Sequence, residues 1–334
     1  MKLALIYDLK CPKLTENSYS RTYLDMFEAV IERFEEVQHI TDNCSAQDIE
    51  ADVILIYDIH SSHHIVINGI ENHRAVKYTY FNDPHQTEFK GQYRNGPKVH
   101  KLGAENRVRR ALLRGINFII CPYKYGYFKY IAPYLTNPED MLFWFPPAPS
   151  NKRFPLRMRP LLKRKHKILG NGSLNDGGLG GYDFRQWAFS QPETFYLKHT
   201  MDRPDIPRGA DYCKLLCSFS AALALNGLYT VPKYLEIPLA GCVCFAQDQE
   251  DYRRMGFEDL KNCIIVNKEN FRNRANAFLN AKPGDIYYQK VAREGRMLIE
   301  SKWTAECFAD ALYNHAKLKG AQNEMERMER KGVG

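Results

Sequence analysis

The sequence predicts an α/β protein built from two doubly wound domains in tandem, and three observations carry that expectation. Short, wholly apolar strands alternate with amphipathic helices, the alternation stops at one proline-rich stretch near the middle, and it then restarts with the same rhythm. A length of 334 residues also fits two cores of ordinary size better than one.

Taken in order, KLALIYD reads as a buried strand, and YLDMFEAVIERFEEV, with apolar residues three and four apart, as an amphipathic helix. DVILIYDI is a second buried strand, followed by VKYTYFND, the helix AENRVRRALLRGI, the strand NFIICPY and MLFWFPPAP. Continuous apolar runs mark strands covered on both faces, as in a parallel sheet. FPPAPSNKRFP, with four prolines, breaks the pattern and places a linker near residues 146 to 155. Beyond it HKILGNGS is a strand and a glycine loop, YDFRQWAFS a helix start, TFYLKH a short strand, ADYCKLLCSF a helix and AALALNG a strand. VPKYLEIPLAG is a helix, CVCFA and CIIVN are strands, and KENFRNRANAFLN is a helix. The expected domains are 1–150 and 151–315, with 316–334 a charged helix or tail. Two such domains would leave a cleft between the carboxyl ends of their strands, where ligands bind.

Composition narrows the class. With 44% hydrophobic and 26% charged residues the chain is that of a soluble globular protein. No run approaches the roughly 18 apolar residues of a membrane span, and MKLALIYD turns acidic too soon for a signal peptide. Nine cysteines without framework spacing point to a reducing compartment, so a cytoplasmic location is expected. Cys213 and Cys217 lie one helical turn apart, and Cys242 and Cys244 alternate on a strand. Neither pair has a matching pair or a close histidine, which makes them small buried apolar groups rather than metal ligands. The cluster Asp58, His60, His63 and His64 fits no metal spacing either, so neither a metal nor another cofactor is expected. Net charge is +8, and residues 151–167, NKRFPLRMRPLLKRKHK, contain no acid. Such a run is a solvated linker or surface, or it meets an anion, either phosphate groups or a nucleic-acid backbone.

One carboxylate stands out. In KYLEIPLAGCVCFA, residues 233–246, Glu236 sits in an apolar segment that leads directly into a buried strand. A carboxylate losing water there needs a partner or a ligand, unless it merely serves the helix dipole at the surface.

These residues also carry a resemblance. KYLEIPLAG and its strand, then DYRRMGFEDLKNCIIVNKENFRNRANAFLN and AREGRMLIESKWTAECFADALYNH, resemble the C-terminal half of the CgeB-like (spore maturation protein-like) glycosyltransferases of the two-domain GT-B class. The family pattern is a basic residue, two residues, Glu, two or three small or apolar residues, then Gly, and Lys233, Glu236, Pro238 and Gly241 match it. GNGSLND, and YDFRQWAF with Arg185, resemble the family's glycine loop and the arginine helix after it. The match spans roughly residues 120 to 315, and the first 120 share only the strand-helix rhythm and FNDPH.

The resemblance implies two Rossmann-like domains facing across a cleft, the first on the acceptor side and the second binding a nucleotide-sugar donor. Glu236 would accept hydrogen bonds from the ribose hydroxyls, and Lys233, one turn earlier on the same face, would point toward phosphate. Pro232 starts this helix, whose dipole favours the same anion, and Gly241 ends it. Gly170 and Gly172 would let backbone N–H groups approach phosphate or sugar, and Arg185 would clamp the diphosphate, unless it is simply an exposed helix arginine. Asp83 and His85, just past the strand in YFNDPHQ, would position a sugar or, for Asp83, act as general base, where the alternative is an ordinary Asp-Pro turn. The family implies no catalytic metal. Retaining relatives often carry a second acid seven or eight residues before the ribose-binding one, where Leu228 and Tyr229 stand here, so the stereochemical outcome is open.

The function expected is transfer of a hexosyl or pentosyl group from a nucleotide sugar to a hydroxyl of a polysaccharide, glycan or protein. One alternative makes a hydroxymethylated DNA base the acceptor, as in phage DNA glucosyltransferases. Another is a non-catalytic, basic nucleic-acid-binding protein. No oligomeric state is specified by the sequence.

Overall fold

Segments such as Val53–Ile56 and Phe219–Ala224 are buried along their whole length, which requires a sheet covered on both faces. The computed structural model describes residues 1–11, 14–15, 21–57, 65–82, 84, 104–174, 181–198 and 207–332. They divide into two compact units, the first comprising Met1–Leu14, Phe27–Pro146 and Phe308–Gly334, the second Thr15–Met26 and Pro147–Cys307.

Along the chain the first unit's elements are β1 (Lys2–Ile6), α1 (Thr22–Arg33), β2 (Glu36–Ile40), β3 (Cys44–Ser45), β4 (Val53–Ile56), β5 (Ile67–Asn68), β6 (Val76–Tyr80), α2 (Ala104–Leu113), β7 (Phe118–Cys121), α3 (Lys124–Tyr130), α4 (Pro138–Met141) and β8 (Leu142–Trp144). The first residues of α1, Thr22–Met26, belong to the second unit. Six strands form one parallel sheet in the order β2-β1-β4-β6-β7-β8, so the strand order reverses between β1 and β4. The helical reading of YLDMFEAVIERFEEV runs too far. The helix stops at Arg33, and Glu36–Ile40 pairs instead along β1, a partly exposed edge strand with mixed polar and apolar residues.

The second unit continues with β9 (Lys165–Gly172), α5 (Asp183–Phe189), β10 (Thr194–Lys198), α6 (Gly209–Ser218), β11 (Phe219–Ala224), α7 (Lys233–Leu239), β12 (Val243–Gln247), α8 (Glu250–Arg254), β13 (Ile264–Val266), α9 (Phe271–Asn280), α10 (Ile286–Lys302) and the start of α11 (Ala305–Gly332). Its sheet is parallel throughout, in the order β10-β9-β11-β12-β13, and the order reverses between β9 and β11. Open α/β sheets bind ligands outside the carboxyl ends of the strands at such a reversal. The charged C-terminal segment is helical, and the part of α11 beyond Cys307 packs in the first unit, where Phe308, Leu312 and Ala316 are buried and His315 Nδ1 lies 2.6 Å from the Tyr78 hydroxyl. Among the described residues no helix is long and apolar enough to cross a membrane.

Candidate functional site

At the carboxyl end of β9 stand Gly170, Asn171 and Gly172, in register with Tyr196, Leu197 and Lys198 of β10. Gly172 has φ +132°, a conformation open to glycine. Gly170 has a different reason to be glycine: a Cβ there would lie 2.6 Å from Thr194 Cγ2 and 3.1 Å from Phe189 Cδ1. Packing against β10 and α5 accounts for it without a ligand.

Arg185, on α5, is neither an exposed helix arginine nor an open clamp. It is 4% exposed; its Nε donates to the Leu225 carbonyl at 2.7 Å, Nη2 shares that acceptor, and Nη1 donates to the Ser173 carbonyl at 3.1 Å. Its guanidinium also lies 3.5 Å from the centre of the Tyr182 ring. Since Ser173 follows β9 and Leu225 follows β11, Arg185 braces the two strand ends that flank the reversal.

α7 is buried at every residue, which for a helix with a lysine and a glutamate demands partners for both. It begins after Pro232 and ends in a paired turn, with Gly241 at φ +72° donating to the Pro238 carbonyl at 2.8 Å and Cys242 donating to the Ile237 carbonyl at 3.2 Å. The Lys233 amine donates to the backbone carbonyl of Asn171 and lies 3.3 Å from its Oδ1. Burial pushes Lys233 well below the ordinary lysine range, Arg185 pushes the same way, and Glu236 opposes them.

Glu236, 1% exposed, accepts from Thr22 Oγ1 at 3.2 Å and from Arg153 Nη2 at 3.3 Å. Arg153 in turn places Nε 2.5 Å from Asp25 Oδ2 and Nη1 3.6 Å from Cys213 Sγ. Asp25 also accepts from the Ser150 backbone N–H at 2.9 Å and lies 3.4 Å from Arg21 Nε. Burial raises the Asp25 carboxyl to about 7 against the opposing pull of Arg153, and raises the Cys213 thiol to about 12. Burial works against the charge of Arg153, but Asp25 and Glu236 outweigh it and hold its pKa above the ordinary value. One buried guanidinium therefore bridges two carboxylates, all within the second unit.

The structure thus gathers Gly172, Arg185, Lys233 and Glu236 around one sheet edge. Asp83 and His85 lie outside the described residues, as do Asp58, His60, His63 and His64. Among the described residues no three His, Cys, Asp or Glu side chains are grouped as metal ligands. Leu228 and Tyr229, at the positions of a retaining relative's second acid, lie in a turn whose N–H groups are capped by Asn226 Oδ1 at 2.8 and 3.3 Å. The basic run is not uniform: Arg153 is in the buried cluster, and Arg164 is buried against the Arg159 and Phe219 carbonyls. Lys152, Arg157, Arg159, Lys163, Lys165 and Lys167 are exposed.

Sequence reasoning missed Asp25, Arg153 and Asn171. Asp25 had a signal, because Thr22, Asp25, Met26 and Ala29 share one helical face and all four are buried. An acid inside an apolar stripe implies a cation elsewhere. Arg153 had none, lying among cations of which most are exposed.

Two Rossmann-like units in tandem define the GT-B fold, and solved structures agree with it. Sucrose-phosphate synthase from Thermosynechococcus elongatus is similar over 96% of this chain and 100% of that one, with TM-score 0.62 and 11% identity. An alpha-glucosyltransferase in complex with UDP matches over 95% of this chain and 100% of that one, with TM-score 0.58 and 10% identity. HepE from Anabaena in complex with UDP-glucose matches over 95% and 99%, with TM-score 0.57 and 10% identity. At such identity the likeness is one of fold. No family model matches the chain, and no curated protein does.

Proposed function

We propose that the chain is a nucleotide-sugar-dependent glycosyltransferase of the CgeB-like kind, with the donor at the carboxyl edge of the second unit's sheet. The observation that carries this reading is the convergence of Lys233 and Glu236, on one face of α7, with the strand ends braced by Arg185 at the reversal of strand order. Glu236 already accepts from a neutral hydroxyl, that of Thr22, which is the chemistry a ribose hydroxyl offers. Lys233 donates to the diphosphate, whose charge favours the ammonium form, and the Gly172 backbone follows the Asn171 carbonyl that the amine already meets. Arg185 acts by fixing the strand ends rather than by gripping the anion.

In the reaction the bond between the anomeric carbon and the diphosphate oxygen breaks. The acceptor hydroxyl oxygen forms the new bond, and its proton passes to a base. Asp83, two residues before His85 in the sequence, is the candidate base on the acceptor side, within residues 1–150, while residues 151–315, joined by Thr22 and Asp25, form the donor side. The fold neighbours carry UDP and UDP-glucose, so UDP-sugars come first in a panel that spans hexoses and pentoses. The test is thermal unfolding with each nucleotide sugar, because a ligand at a hundred times its Kd stabilises by about 2.7 kcal/mol. A rise in Tm with one donor, and release of its nucleoside diphosphate on adding a hydroxyl acceptor, is expected. No shift with any donor would overturn the reading.

The six exposed cations of the acid-free run favour a second reading, in which the acceptor is a hydroxymethylated base of DNA. Arg164 has no part in it, being buried. Neutralising Lys163, Lys165 and Lys167 should then reduce the salt dependence of DNA binding, by about 0.9 in logarithmic slope for each phosphate that no longer meets a cation. Transfer at the parent rate with an unchanged salt response would leave a carbohydrate or protein acceptor.

A further inference from the structure

Between the proline-rich stretch and β9 the backbone is fixed by side chains. Ser150 donates its N–H to Asp25 at 2.9 Å and its hydroxyl to Glu306 at 2.5 Å, and Glu306 also accepts from the Asn151 N–H at 3.3 Å. Lys152 N–H donates to Ser150 Oγ at 3.1 Å, closing the short turn that carries Arg153. Arg153 therefore projects from a tethered turn, and its side chain is 6% exposed. Its two contacts are unequal: 2.5 Å to Asp25 from Nε, and 3.3 Å to Glu236 from Nη2.

A guanidinium is rigid and planar, so fixing Nε fixes where Nη2 points. We propose that Arg153 and Asp25 are positioning residues for the donor's ribose: Asp25 anchors Arg153, and Arg153 holds the Glu236 carboxylate where it accepts hydrogen bonds from the ribose hydroxyls. The inference rests on the reading of Glu236 given above and adds two residues to it. The charge arithmetic supports it. A carboxylate at 1% exposure keeps its acceptor character only beside a cation, and Arg153 supplies one directly. Asp25 faces Arg21, Arg153, Glu236 and Cys213, and burial has brought its carboxyl to about 7, so it takes up a proton near neutrality within this cluster.

The experiment compares UDP with its 2′-deoxyribose counterpart by calorimetry, in the parent and in variants, with Tm recorded for each. A site that bonds a ligand hydroxyl discriminates against the analogue lacking it, so the parent should prefer UDP by about tenfold or more. Arg153→Met should bring that ratio to within about twofold of one, and Arg153→Lys, which keeps a cation near Glu236 but not the planar fork anchored on Asp25, should restore only part of it. Asp25→Ala should lower the ratio, whereas Asp25→Asn, which still accepts from the Ser150 N–H and keeps an oxygen beside Arg153, should retain it. In a Glu236→Gln background Arg153→Met should have no further effect on the ratio. A merely structural role predicts a lower Tm, or equal weakening of both nucleotides, with the ratio unchanged. A folded Arg153→Met, or Asp25→Ala should the former not fold, that discriminates as the parent does overturns the inference while leaving the donor site standing. A parent that binds UDP and every other nucleoside diphosphate of the panel too weakly to measure overturns the donor reading, and this inference with it.

Discussion

Replacing Lys233 with methionine isolates the role of the buried amine, since methionine fills similar space without charge. In the protein, burial first and Arg185 second hold Lys233 well below the ordinary lysine range. A diphosphate beside the amine favours the ammonium form and raises its pKa, so donor binding should take up protons over the pH range in which the free amine titrates. Affinity should then rise as pH falls, and calorimetry of UDP binding in two buffers of different ionisation enthalpy reads the uptake. The Met variant should show smaller uptake and bind more weakly by about 1.5–3 kcal/mol, the worth of a hydrogen bond to a charged group, or roughly ten- to a hundredfold. Asp25, whose carboxyl burial raises to about 7, is untouched by the change, so the difference reports on Lys233. Stability should fall by at most about 3 kcal/mol, because the buried Asn171 carbonyl loses its donor. Equal proton uptake and equal affinity in parent and variant would refute the placement of the diphosphate beside Lys233.

Other side chains of the same unit give further expectations. Gly170→Ala should lower stability in urea by about 1–3 kcal/mol, through overpacking against Thr194 and Phe189. Arg185→Met should lower Tm, since the Leu225 and Ser173 carbonyls lose their donor at about 1–3 kcal/mol for each buried acceptor left alone; an unchanged Tm would remove its bracing role. Glu236→Ala should weaken UDP binding by about 1.5–3 kcal/mol with the fold intact, and parent-like affinity would make Glu236 structural. The Asp25 carboxyl is raised from 3.8 to about 7 on folding, so its contribution to stability is complete below pH 3.8 and is lost as pH rises through 7. Asp25→Asn should accordingly gain stability relative to the parent between about pH 5 and pH 8, which thermal melts at the two pH values can follow.

The α/β architecture was legible because parallel strands buried on both faces leave continuous apolar runs, and β4, β11 and β12 read directly as such. β2 was not, because an edge strand with mixed polar residues continues the charge pattern of the helix before it. At the candidate site, Glu236 was legible as a charge stranded in an apolar segment, Gly241 as the residue that ends it, and Lys233 through the family resemblance. Their partners were not. Arg153 reaches Glu236 from 83 residues away and Asp25 reaches Ser150 across 125, and such pairings are set by tertiary packing that leaves no mark on local pattern. Arg185 was found through the same resemblance, yet its fixed place depends on two backbone carbonyls, which every residue carries and no sequence distinguishes.

Hydrogen exchange with and without a saturating UDP-sugar tests the central claim most directly, because it locates the donor on the chain. Slower exchange is expected at residues 170–174, at 225–228 after β11 and at 232–237 in the first turns of α7, with little change at the opposite, amino ends of β9 and β11. Protection confined to the first unit, with the donor demonstrably bound, would contradict it.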